Sequence, residues 1–263
     1  MEAMKERIVE IDTPDGRMET FLTHPEQGGP FPAVVVFMDV WGVREQLFDI
    51  ARRIATVGYV GVVPNFYYRK GGITFDYRHP DGKTISLRTL DAPDREKILA
   101  FLSHLTDELA VSDTGAVRDY LANDKAVRPG PMGSVGYCLG GRLVMRAAGA
   151  FPDAFRANAS LHGTRLATDA PDSPHLEASR MKGEIYCGFG ELDHYSPPEV
   201  IAAVREAFTG AAVEYHDEVH GQADHGYAIP DRDIFDKAAA ERDWELIFAM
   251  YQRQLRPYGD VPV

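Results

Sequence analysis

Gly136-Tyr137-Cys138-Leu139-Gly140-Gly141 is the stretch on which the reading of this chain turns. Ser134-Val135-Gly136-Tyr137 ends a short strand, and residues 140–150 carry apolar side chains at helical spacing. A strand therefore runs into a helix across a turn so tight that side chains at its flanks would collide, which is why glycines bracket the central residue. The pattern is G-x-S-x-G with cysteine in the serine position. It places Cys138 at a helix N-terminus, where unpaired amides and the macrodipole favour a thiolate over a thiol. The competing reading is an inert cysteine in a close helix-strand packing, but the strand-elbow-helix context favours a nucleophile. Cys187, inside Glu184-Ile185-Tyr186-Cys187-Gly188-Phe189, lacks that context and reads as core.

Outward from the elbow, strands and helices alternate. Residues 6–12 and 17–23 flank Pro14-Asp15-Gly16 and predict an N-terminal β-hairpin at the sheet edge. The run 31–38 is almost wholly apolar, as expected of a strand covered on both faces. Helical spacing over 43–57 ends at Gly58, and Tyr59 to Val63 forms the next strand, closed by Pro64. Residues 64–95 mix Tyr, Arg, Gly and Pro without a sustained period and predict a long loop bordering the active site. Helix follows over 96–123, in two pieces broken near Ser112-Asp113. Beyond the elbow come a strand at 157–161, a strand at 184–189, a helix at 198–208, a strand at 212–216 and a helix at 234–255. The alternation predicts one α/β domain over residues 1–263, with a mostly parallel, doubly wound central sheet and helices on both faces.

A nucleophile needs a base and a group to orient that base, and the fold predicts both after the nucleophile, in the order acid then histidine. Gly190-Glu191-Leu192-Asp193 directly follows a strand, at the C-terminal edge where ligands gather in open α/β sheets. Asp193 there would orient an imidazole and stabilise it once protonated. The alternative is an N-cap for the helix near Pro197 or Pro198, a task for which Ser196 is better placed. Of the nine histidines, only His216, His220 and His225 follow the start of the last predicted strand. His216 reads as part of that strand; His220 and His225 both precede glycine in a polar loop, and composition does not separate them. His162 and His194 invite a metal story with Asp193, but their spacing matches no metal motif. No metal and no cofactor is expected.

These residues together resemble the dienelactone hydrolase (carboxymethylenebutenolidase-like) family of α/β-hydrolases. The resemblance is carried by Gly136 to Gly141, by Gly190-Glu191-Leu192-Asp193 with Pro197, by Asp224-His225-Gly226-Tyr227-Ala228, and by the stretch to Trp244 with Pro230-Asp231-Arg232. It extends over about Arg7 to Leu255. It implies the α/β-hydrolase fold and a Cys-His-Asp triad of Cys138, His225 and Asp193, which favours His225 over His220. It also implies an acidic residue beside the nucleophile, here Asp39 of Met38-Asp39-Val40-Trp41-Gly42. By the same likeness the oxyanion hole is the backbone N–H groups of Val40 and Leu139. Trp41 and Tyr137 are candidates to contact substrate. Where the family carries a carboxylate-binding arginine four residues past its histidine, this chain has Ile229; Arg69, Arg88 and Arg232 are the candidates to replace it.

The implied function is hydrolysis of an ester or lactone through a thioester acyl-enzyme. The alternatives are a thioesterase or another hydrolase on the same triad, or a noncatalytic ligand-binding member of the fold. The 263-residue chain has 44% hydrophobic and 26% charged residues, an ordinary globular composition. Its formal charge of −12 argues against nucleic acid or an anionic membrane as partner and leaves a small-molecule ester or lactone. Two cysteines in apolar surroundings fit a reducing compartment. The charged stretch Met1 to Glu10 lacks an apolar signal segment, so the expected location is cytoplasmic, as a monomer or homodimer.

Overall fold

The computed structural model describes residues 3–257; Met1 and Glu2 of the charged N-terminal stretch lie outside the described residues, as do 258–263. Strands β1 (Met4–Thr13) and β2 (Gly16–Pro25) form the N-terminal hairpin. They are followed by β3 (Ala33–Phe37), β4 (Val60–Pro64), β5 (Met132–Tyr137), β6 (Phe155–Leu161), β7 (Glu184–Gly190) and β8 (Glu214–His220). The eight strands form one sheet in the order β1-β2-β4-β3-β5-β6-β7-β8. β1 and β2 pair antiparallel, as do β2 and β4, and every pairing from β4 to β8 is parallel. Every residue of β3 and β4 is buried, which accounts for their uninterrupted apolar sequence.

Six α-helices are found among the described residues: α1 (Glu45–Ala55), α2 (Ala92–Leu102), α3 (Asp107–Leu121), α4 (Leu139–Ala150), α5 (Pro198–Phe208) and, after the last strand, α6 (Lys237–Leu255). Gly133 and Gly136 lie three apart in β5 and so face opposite sides of the sheet. A Cβ on Gly133 would stand 3.0 Å from Leu255 of α6, and one on Gly136 only 2.1 Å from the Gly140 carbonyl oxygen of α4. Glycine is thus what lets a helix approach each face. No helix among the described residues is long and apolar enough to cross a membrane.

Three local expectations are corrected. The break in the 96–123 helical region falls at 103–106, where Thr106 caps α3, and not at Ser112-Asp113. Asp113 lies inside α3, buried, where it accepts hydrogen bonds from Arg69 and Tyr68, so a turn-forming residue is held in a helix by a tertiary ion pair. Ser196 does not cap α5: its hydroxyl donates to the Gly163 carbonyl, and Pro197 stands at the N-cap without a side-chain bond. The last strand runs to His220 rather than ending at His216.

The strand order reverses between β3 and β5, because the chain leaves β3 toward β4 on one side and returns to β5 on the other. At such a switch point the loops after the two strands diverge and open a crevice at their C-terminal ends. The loop after β3 carries Asp39 to Gly42, and the turn after β5 is Cys138.

Candidate active site

Cys138 has φ 56° and ψ −116°, a backbone region that costs a non-glycine residue on the order of 1–3 kcal/mol. The surroundings hold it there. Its amide donates to the Leu161 carbonyl at 3.1 Å and to Nδ1 of His162 at 3.1 Å. Its carbonyl accepts from the amides of Gly141 and Thr164, each at 3.1 Å. The side chain is half-buried and lines two adjoining cavities.

His225 and Asp193 meet across the loops that follow β8 and β7. Nδ1 of His225 lies 2.8 Å from Oδ2 of Asp193, whose side chain is fully buried. The second Asp193 oxygen accepts the Tyr195 amide at 2.8 Å, fixing the carboxylate plane. Among the described residues Nε2 of His225 has no hydrogen bond of ordinary geometry, and Cys138 is near enough to raise the ring's proton affinity. Burial disfavours the imidazolium, but the neighbouring Cys138 charge and the Asp193 hydrogen bond outweigh it and raise the ring to about pKa 10. His220, which local composition did not separate from His225, donates from Nε2 to Asp243 at 2.6 Å, with Tyr186 and Tyr227 on the same carboxylate. It ends β8 rather than standing in the loop, and it lines neither cavity at Cys138.

Asp39 is fully buried, and both its oxygens are held by Arg44 at 2.8 and 3.0 Å. Arg44 also grips Asp231 through Nε at 2.7 Å and Nη2 at 3.0 Å. Burial penalises the Arg44 charge, yet Asp39 and Asp231 hold its pKa above the ordinary arginine value. Asp39, which the resemblance implies beside the nucleophile, is held in a buried ion pair with Arg44. Its Oδ1 also accepts the Trp41 amide at 3.1 Å, and its carbonyl accepts the Gly42 amide at 3.2 Å. Asp39 therefore shapes the turn that carries Val40, and Tyr67 pins the Val40 carbonyl at 3.0 Å. The Val40 and Leu139 amides have no hydrogen-bond partner among the described residues, as expected at a first helical turn for Leu139.

Trp41 lines the cavity shared by Cys138 and His225, and the Arg232 guanidinium lies over its ring at 5.3 Å. Tyr137 is fully buried, packs against His162 and lines neither cavity, so its candidacy for substrate contact is corrected. Of the three candidate arginines, Arg69 pairs with Asp15 and Asp113 and lines neither cavity. Arg88 lines the cavity but is exposed and bonded to Asp224. Arg232 is 3% exposed, lines the cavity, and has a buried Nε without a partner; its nearest acid is Asp39 at 3.9 Å.

Two participants escaped sequence reasoning. Arg44 had no signal beyond a charge at the start of a helix. His162 was visible only as a histidine after a strand. Its ring is fully buried, accepts the Cys138 amide and lies 5.1 Å from the His225 ring; burial and the His225 charge hold its pKa well below the usual value, so it stays neutral. The 64–95 segment supplies Ser86, Leu87 and Arg88 to the cavity wall and is tied to the histidine loop by the Thr84 and Asp233 backbone bonds.

Residues 18–255 match the dienelactone hydrolase family. A relative from Synechocystis with a carboxymethylenebutenolidase name is 25% identical over 96% of this chain and 98% of its own. One from Escherichia coli K12 with the same name is 26% identical over 92% and 85%. A Klebsiella pneumoniae structure described as a dienelactone hydrolase superposes with a TM-score of 0.80 at 22% identity, covering 95% of this chain and 99% of the other. A dienelactone hydrolase-like promiscuous phosphotriesterase from metagenomic libraries gives 0.77 at 20% identity, over 96% and 99%.

Proposed function

The chain belongs to the dienelactone hydrolase family and is a hydrolase, and on that premise we propose that it cleaves a carboxylic ester or lactone through Cys138. The observation that carries this reading is the buried Asp193–His225 pair in the cavity that Cys138 lines. A raised imidazole pKa means that the ring holds its proton at neutral pH beside the sulfur, an arrangement suited to a thiolate with an acid already charged.

The thiolate attacks the carbonyl carbon, and the C=O electron pair moves onto oxygen, which accepts the amides of Val40 and Leu139. Collapse expels the alkoxide, which takes the His225 proton, and leaves a thioester on Cys138. Water then gives a proton to His225 and attacks the thioester; collapse releases the carboxylic acid and restores the thiolate with its imidazolium. Asp193 fixes the ring throughout, and the Asp39–Arg44 pair positions the turn bearing the Val40 amide.

The test is single turnover with an ethyl ester, followed by acid quench and peptide mass spectrometry. An acyl adduct is expected on the peptide holding Cys138 and not on that holding Cys187. Cys138→Ala should abolish turnover while Cys187→Ala retains it; undiminished esterase activity in Cys138→Ala would overturn the assignment.

A further inference from the structure

The two cavities that meet at Cys138 differ in size and chemistry. The one shared with His225, Trp41 and Arg232 holds about 30 Å³, roughly the share of liquid volume of one water. The other holds about 530 Å³, within the range of roughly 300–1,000 Å³ typical of small-molecule sites. Its apolar wall is Val40, Leu87, Leu99, Leu102, Leu105 and Leu139. Three of these come from α2 and the residues just after it, a helix that buries only Ile98 and leaves Leu99 46% exposed. The Arg142–Asp107 ion pair lines the polar part of the same cavity.

The reaction geometry says which half of an ester belongs there. His225 must protonate the leaving oxygen, and it lines the small cavity but not the large one. Cys138 and Val40 line both cavities, and Leu139, whose amide with that of Val40 would flank the acyl carbonyl, lines only the large one of the two. We propose, on the Cys138 mechanism given above, that the large cavity receives the hydrocarbon chain of a medium-length acyl group, and that the small cavity admits only a small leaving alcohol and then the hydrolytic water.

The experiment measures kcat/KM for ethyl esters from acetate to octanoate by acid release, beside the mirror series of acetates of ethanol to octanol. Each added acyl methylene is expected to raise kcat/KM about fourfold until the chamber fills, from the burial free energy of a methylene group; the alcohol series should stay flat or fall. Leu99→Asp, on the exposed side of α2, and Leu102→Trp, which fills the chamber, should each flatten the acyl series, read as a lower ratio of octanoate to acetate kcat/KM. A flat acyl series in the wild type, a rise with alcohol length instead, or a gradient indifferent to both variants would overturn the proposal. Ethyl acetate hydrolysis that still requires Cys138 would leave the catalytic reading standing in each of those cases. An acyl gradient that survives Cys138→Ala would overturn the catalytic reading itself.

Discussion

Replacing Asp193 by Asn changes one atom of the relay without changing its size. One Asp193 oxygen accepts the Tyr195 amide at 2.8 Å, so the Asn carbonyl oxygen is drawn to that place and its NH₂ turns toward His225 Nδ1, now 2.8 Å away. Two donors cannot face each other. The ring must then present a bare Nδ1 and keep its proton on Nε2, the tautomer that can neither accept from Cys138 nor take a second proton cheaply. The expected cost is about 10⁴ in kcat, the scale seen when a triad is locked in the wrong tautomer, which corresponds to about 5 kcal/mol of barrier. Iodoacetamide labelling supplies a second reading. In the wild type the raised imidazole pKa keeps a cationic ring beside the sulfur, which favours alkylation; in Asp193→Asn labelling should slow at neutral pH. Stability should fall by only about 1.5–3 kcal/mol, the worth of a hydrogen bond to a charged group. A variant that keeps more than about a tenth of wild-type kcat, with its labelling profile unmoved, would refute the role given to Asp193.

Three further outcomes are expected. Since the folded His225 pKa stands above its ordinary 6.5 at about 10, its charged form favours the fold; that stability is fully present below about 6.5 and is lost as pH rises through about 10. In the Cys138→Ala background, where no thiol titrates alongside the ring, denaturant midpoints should drop as pH rises above about 6.5, and less when Asp193→Asn is added; equal slopes would contradict the His225–Asp193 coupling. Arg44→Met leaves Asp39 buried with only Arg232, 3.9 Å away, and should cost about 3–5 kcal/mol in urea unfolding; a loss under about 1 kcal/mol would show that the pair does not hold the turn. Gly136→Ala puts a Cβ 2.1 Å from the Gly140 carbonyl oxygen, backbone against backbone, and should cost at least about 3 kcal/mol; a thermal melt like that of the wild type would refute the packing argument.

The order of elements and the elbow were legible in the sequence because both rest on local rules. A continuous apolar run marks a strand covered on both faces, and glycines flanking Cys138 mark a turn in which no Cβ fits. The acid and base were legible as an order along the chain, Cys138 then Asp193 then a histidine. Local context left His220 and His225 level and the family resemblance favoured His225; what only the tertiary structure supplies is the buried carboxylate that faces each, Asp243 or Asp193. The same holds for Asp39, whose partner Arg44 is set by the packing of a loop on a helix start, and for Arg232, whose place over Trp41 depends on a loop nearly two hundred residues away. A side chain's type and neighbours along the chain fix what it can do; the charge that folding sets beside it in a water-poor site fixes what it does.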